Sequence, residues 1–153
     1  MKQTILRWLP LMALGIFWGG CSSLTPYQKH DPLSGGYWEE KKNDGVWEVK
    51  CHGGGPGFAL ECGAYRCAEF AFEKGRRYYV ILKVDDQSNT VSTWGGGGGP
   101  SGYTGMTIYR IKIYKEKPDA KHVFDAYHVL NTTPVPGSKE PYTVKQRLRD
   151  KKQ

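Results

Sequence analysis

Between Tyr37 and Leu130 the apolar positions change period, and the changes mark out the elements. Trp47, Val49 and Cys51 alternate with Glu48, Lys50 and His52, the period of two of a strand with one face on a core and one in water. Tyr37 to Lys42 precede it across Asn43-Asp44-Gly45, residue types that tolerate positive φ, so the two runs are predicted to form a β-hairpin. After Gly53-Gly54-Gly55-Pro56-Gly57 the period lengthens. From Phe58 to Lys74, Leu60, Ala64, Cys67, Ala68 and Ala71 fall on one helical stripe, with Arg66, Glu69 and Glu73 opposite. The stripe is mostly small, which lets a helix lie close on a sheet, and Gly75 supplies a C-terminal stop. Tyr78 to Val84 is β-branched and aromatic and reads as a core strand. Gly105 to Lys115 alternates more weakly, with Met106, Ile108, Arg110 and Lys112 out of step with Thr107, Tyr109, Ile111 and Ile113, and is assigned to the same sheet. Asp125 is placed to cap a short helix through Leu130. The pattern therefore predicts an α+β fold: a small antiparallel sheet in hairpin–helix–hairpin order with one central helix on one face.

The two ends follow different rules. Lys2 and Arg7 precede a short apolar run, Trp8 to Trp18, and Gly19-Gly20-Cys21 closes it. A run of about 11 residues is too short to span a bilayer, which needs ~20, and suits a cleaved leader instead. The small pair before a cysteine resembles the lipobox of bacterial lipoproteins, although Trp18 stands where an aliphatic residue is usual. That resemblance implies cleavage after residue 20, a diacylglycerol on Cys21 by thioether, and an N-acyl chain such as palmitate. Ser22 implies transfer to the outer membrane, facing the periplasm. Residues 21–36, with Pro26, Pro32, Gly35 and Gly36 and no apolar period, are expected to be a flexible tether. The domain is expected to run from 37 to 130, followed by an irregular basic tail over 131–153 that frays from Lys145 to Gln153. Trp94 and the glycines after it are expected to form a mobile hairpin loop.

At 153 residues the chain fits one modest domain, and 13% aromatic residues argue against wholesale disorder. The formal net charge of +7 loses Lys2 and Arg7 with the leader. Export removes nucleic acid from the expected partners and leaves the membrane, an envelope protein or a wall component, with anionic envelope polymers as a weaker alternative.

Thr25-Pro26-Tyr27-Gln28 behind Cys21, Gly36-Tyr37-Trp38-Glu39 at the start of the domain, and Arg66-Cys67-Ala68-Glu69 leading to Gly75 and Tyr79-Val80-Ile81 resemble an uncharacterised family of small proteobacterial lipoproteins. In that family a Gly-Tyr-x-Glu strand opens the domain and an Arg-Ala-Ala-Glu helix follows. The likeness covers roughly residues 21–84. Gly53-Gly54 stands where Gly-Asn is usual, and Cys51, Cys62 and Cys67 replace ordinary residues. The resemblance implies location and fold and supplies no mechanism.

Apart from Cys21, three cysteines remain, an odd number for an oxidising compartment. Cys51 and Cys67 both face inward by period and are the favoured pair, with Cys51–Cys62 the second choice; buried unpaired thiols acting as small hydrophobes are the other possibility. A metal site built from Cys51, His52, Cys62 and Cys67 lacks the close pairs of zinc sites, so no metal is expected. His30, His122 and His128 read as scattered surface groups. No nucleophile elbow such as G-x-S-x-G occurs, Asp85-Asp86 reads as a turn, and the glycine run lacks the G-K-[ST] of a phosphate loop. No enzyme, small-molecule substrate or cofactor beyond the lipid is expected. Arg66 and Glu69 exceed what an i, i+3 pair contributes, ~0.2–0.5 kcal/mol, so they either pair with the hairpin through Glu39 or Lys41 or join Trp94 in an interaction surface. The resulting expectation is an anchored, non-catalytic accessory module, with a thiol-dependent redox or sensing role for Cys51, Cys62 and Cys67 as the alternative.

Overall fold

A computed structural model describes residues 27–30, 35–54, 56–87, 89–90 and 103–152. The first hairpin joins β1 (Gly36–Lys41) to β2 (Val46–His52), and its turn is closed by Lys42 N–H donating to the Val46 carbonyl at 2.8 Å. Asp44 and Gly45 take φ of 58° and 72° there, the left-handed geometry that the Asn-Asp-Gly run suits. Helix α1 (Pro56–Glu73) follows, then β3 (Tyr78–Asp86). A two-residue ribbon of β4 (Asn89–Thr90) on β5 (Tyr103–Thr104) brackets the glycine run, which lies outside the described residues. The chain continues through β6 (Met106–Tyr114), β7 (Val123–Asp125), α2 (Ala126–Thr132) and α3 (Val144–Asp150).

The fold is α+β, with a five-stranded sheet in the order β1-β2-β6-β3-β7 whose neighbours are all antiparallel. The strand with the weaker alternation, β6, is the central one. Its Thr107, Tyr109 and Ile111 face α1 and are buried, while Arg110 and Lys112 face away. Helix α1 lies on that inner face over Val49, Tyr79 and Ile111, and its Cys67, Ala68 and Ala71 are fully buried. Small residues permit this close approach. At Gly63 a Cβ would stand 2.4 Å from Cε2 of Tyr109, so the aromatic ring occupies the place of a side chain.

The predicted stripe is rotated at its start. Leu60 and Ala64 are exposed, whereas Ala59, Cys62 and Gly63 are buried. Farther along, α1 is buried nearly all round because α2 packs beside it and α3 beside α2. Asp125 caps α2 as expected, its Oδ1 accepting from Tyr127 N–H at 2.9 Å and His128 N–H at 3.3 Å.

Two boundaries differ from expectation. The segment 131–153 is not irregular throughout: α3 begins at a capping box in which Thr143 Oγ1 accepts from Gln146 N–H and Gln146 Oε1 accepts from Thr143 N–H. Val144 and Arg147 are buried, and Asn131 Oδ1 accepts from Val144 N–H at 3.0 Å, so the basic end is docked on α2. At the other end, residues before Tyr37 already belong to the fold. Residues 27–30 run parallel to β1, with Tyr37 N–H donating to the Gln28 carbonyl at 2.9 Å and His30 N–H to the Tyr37 carbonyl at 2.8 Å. Gly36 makes room for this strap, since a Cβ there would stand 2.5 Å from the Gln28 carbonyl oxygen.

Candidate functional site

Arg66, Glu69 and Glu73 recur at three- and four-residue steps on α1 and so share one stripe, on the side where the strap, β1 and α3 meet. The Arg66 guanidinium donates from Nε to Glu39, from Nη1 to Glu69 Oε2 at 2.5 Å, and from Nη1 and Nη2 to the two oxygens of Glu73 at 2.8 Å each. Its Cζ lies over the Tyr37 ring, 4.3 Å from the ring centre. Glu69 Oε2 also accepts from the Tyr27 hydroxyl at 2.5 Å, and its Oε1 accepts from Arg147 Nη1. Arg147 donates further to the Tyr65 hydroxyl at 2.6 Å and to the Tyr142 carbonyl at 2.9 Å. Two guanidinium groups are thus held by the carboxylates of Glu39, Glu69 and Glu73, the Tyr65 hydroxyl, the Tyr142 carbonyl and the Tyr37 ring, and the Tyr27 hydroxyl ties the strap to the same cluster through Glu69.

Of the two expectations for Arg66 and Glu69, the internal one holds: Arg66 pairs with the hairpin through Glu39. At 3% and 7% exposure the two residues do not form an interaction surface, which corrects the other expectation. Burial opposes ionisation of Glu69, but the hydrogen bond from Tyr27 and the charges of Arg66 and Arg147 outweigh it and hold the carboxyl below its ordinary value. Burial likewise disfavours the charged form of Arg66, and its carboxylate partners more than compensate, so its pKa is raised. Burial and the adjacent Glu69 carboxylate keep the Tyr27 phenol protonated.

Tyr27 is the point at which the strap enters this cluster. Its ring lies 4.8 Å from that of Tyr37 and 5.3 Å, edge-on, from that of Tyr65. On the outer side of the strap, His30 meets the Trp38 ring at 4.6 Å, and Lys50 approaches the same ring at 5.9 Å. Lys29, His30, Tyr37, Trp38 and Glu39 line an open depression of about 460 Å³ there. Beside it on the outer sheet face charges interlock: Glu48 accepts from Arg110 Nε at 2.9 Å, and Lys50 bridges Glu40 and Glu48. This is why Glu48, assigned to water by the strand period, is only 6% exposed.

The cysteines pair differently from the favoured expectation. Cys51 is bonded to Cys62, the second choice, with Cα atoms 6.3 Å apart, and Cys67 is free and fully buried. Facing direction alone did not decide the pairing. The chain leaves β2 directly into the first turns of α1, so Cys62 lies over the strand end, while Cys67 is five residues, or ~7.5 Å, farther along the helix axis. Burial pushes the Cys67 thiol well above its ordinary pKa.

His30, His122 and His128 are exposed and lie apart, and His52 is half-buried at the end of β2. Among the described residues no group of three or more His, Cys, Asp or Glu side chains could hold a metal ion. Cys21 and Trp94 lie outside the described residues. The residues that sequence patterns did not connect are Tyr27, Tyr65 and Arg147. For Arg147 a signal existed, because Thr143-Val144-Lys145-Gln146 is a readable helix start.

The charges and hydroxyls of the cluster satisfy one another, so the arrangement acts as a fastener between chain segments. Among the described residues, no helix is long and apolar enough to cross a membrane. No family model, no curated protein and no solved structure matches the chain.

Proposed function

We propose that this chain is a lipoprotein of the bacterial envelope, anchored through a diacylglycerol and an N-acyl chain on Cys21 to the periplasmic side of the outer membrane. It acts there as an accessory module that engages an envelope protein or wall component, without catalysis. The observation that carries the reading is the coincidence of two marks of export: a leader ending in Gly19-Gly20-Cys21, and a domain joined by the Cys51–Cys62 disulfide, a bond that persists in oxidising compartments. The mutual saturation of the buried charges supports a scaffold role, since none of Arg66, Glu69 and Arg147 is left poised for a substrate. The uncharacterised lipoprotein family that the sequence resembles has the same proposed location.

A redox role for Cys51, Cys62 and Cys67 has less support. The third thiol is buried with a raised pKa, the opposite of a reactive cysteine, which is exposed and acidic.

The test is intact mass and membrane fractionation of the wild type beside Cys21→Ala. A mature chain lacking residues 1–20, heavier by the acyl groups and found in the outer membrane, with both features lost in the variant, supports the anchor. An unmodified, freely released chain overturns it. Crosslinking in cells that yields only monomer overturns the interaction role.

A further inference from the structure

We infer that the strap edge of the domain, the surface presenting Lys29, His30 and Trp38, rests on the headgroups of the lipid layer that holds the anchor. The inference depends on Cys21 being lipidated and adds which side of the domain faces the membrane.

The first argument is reach. Tyr27 is fastened to Glu69 inside the domain and lies only six residues beyond Cys21. Fully extended, six residues span ~20 Å. A compact domain of this size has a radius of gyration of ~14 Å, hence a diameter of ~35 Å. The greatest reach of residues 21–26 is therefore shorter than the domain is wide, and the domain cannot turn its far side to the lipid while Tyr27 stays docked. Had residues 21–36 been a free tether, no face would be selected.

The second argument is the chemistry of that edge. Lys29 and His30 are exposed and Trp38 is half-buried, with its ring held edge-on by His30 and approached by Lys50. An indole beside an exposed lysine is the combination that settles at a lipid–water boundary, the ring among the glycerol backbones and the Lys29 ammonium among the phosphates, while Lys50 stays paired with Glu40 and Glu48 behind the ring.

The test uses the full chain, matured and purified with its anchor, and reconstituted into vesicles of phosphatidylethanolamine and phosphatidylglycerol carrying brominated acyl chains. Trp38 emission is taken as the difference between wild type and Trp38→Phe. A loss of Trp38 emission relative to vesicles without bromine is expected, because an indole seated at headgroup level lies against the labelled chains. This quenching should be absent in Lys29→Glu/His30→Glu, whose changes lie at exposed positions and leave the fold intact. Protein that floats with the vesicles while Trp38 stays unquenched overturns the inference and leaves the anchor standing, as does shielding of Trp38 only by added wall polymer. Protein that neither floats nor carries lipid by mass overturns both.

Discussion

The hydroxyl of Tyr27 donates to Glu69 at 2.5 Å across 42 positions of chain, and Glu69 accepts from Arg66 and Arg147 as well. One carboxylate therefore ties the strap, the central helix and the C-terminal helix together. Domain and strap form a single folded unit, and the end of the chain, far from being a loose basic extension, supplies one of the two guanidinium groups.

Glu69→Gln is expected to destabilise the protein by about 3–5 kcal/mol, because it leaves Arg66 and Arg147 buried and incompletely paired. Urea unfolding at neutral pH measures this as a lowered midpoint with an unchanged slope. A loss below ~1 kcal/mol would show that the cluster is not a coupled unit.

The same carboxylate sets a pH dependence. The folded pKa of Glu69 lies below its ordinary value of 4.5, so its stabilisation is fully present above that value. It declines as the pH falls below about 4.5 and is lost as the pH passes through the depressed folded pKa. Glu48, also lowered, by its bond from Arg110, contributes in the same direction. The urea midpoint should therefore fall on acidification below that range, and less steeply in Glu69→Gln than in the wild type. Equal slopes in the two proteins would assign the acid sensitivity elsewhere.

Local periods made much of the sheet and the central helix legible. Val49, Cys51, Tyr109 and Ile111 sit on the face their period predicts, and Asn43-Asp44-Gly45 and Asp125 carry their own turn and cap chemistry. What was not legible depends on contacts between distant segments. Arg66 and Glu69 look outward on an isolated helix and become interior only because the strap and α3 close over them. Cys51 and Cys67 share a facing direction, but axial position along α1 selects Cys62. The strap had no period to announce it, since its stability comes from Tyr27 and two backbone hydrogen bonds rather than from an apolar stripe.

Gly36→Ala tests the strap separately from the helix cluster. A Cβ at residue 36 would meet the Gln28 and Lys29 carbonyl oxygens at 2.5 and 2.8 Å, and φ of 124° is strained for any side chain. The strap should leave β1 while the sheet and helices stay folded. The expected readout is rapid tryptic cleavage at Lys29 in the variant, with unfolding of the remaining domain still cooperative and destabilised by about 1–3 kcal/mol. Cleavage at the wild-type rate would mean that residues 27–30 are held by something other than their fit against Gly36.

The cysteines give a count that separates the assignments made for them. With Cys51 and Cys62 bonded and Cys21 in a thioether, the denatured mature chain should show one reactive thiol, Cys67, and the native chain none, because Cys67 is fully buried. Reduction should raise the denatured count to three. It should also lower stability by about 2–4 kcal/mol, as release of a short closed loop does. A denatured count of two before reduction would point to an unmodified Cys21 and remove the anchor, whereas a count of three would mean that the bond between Cys51 and Cys62 does not form in the cell.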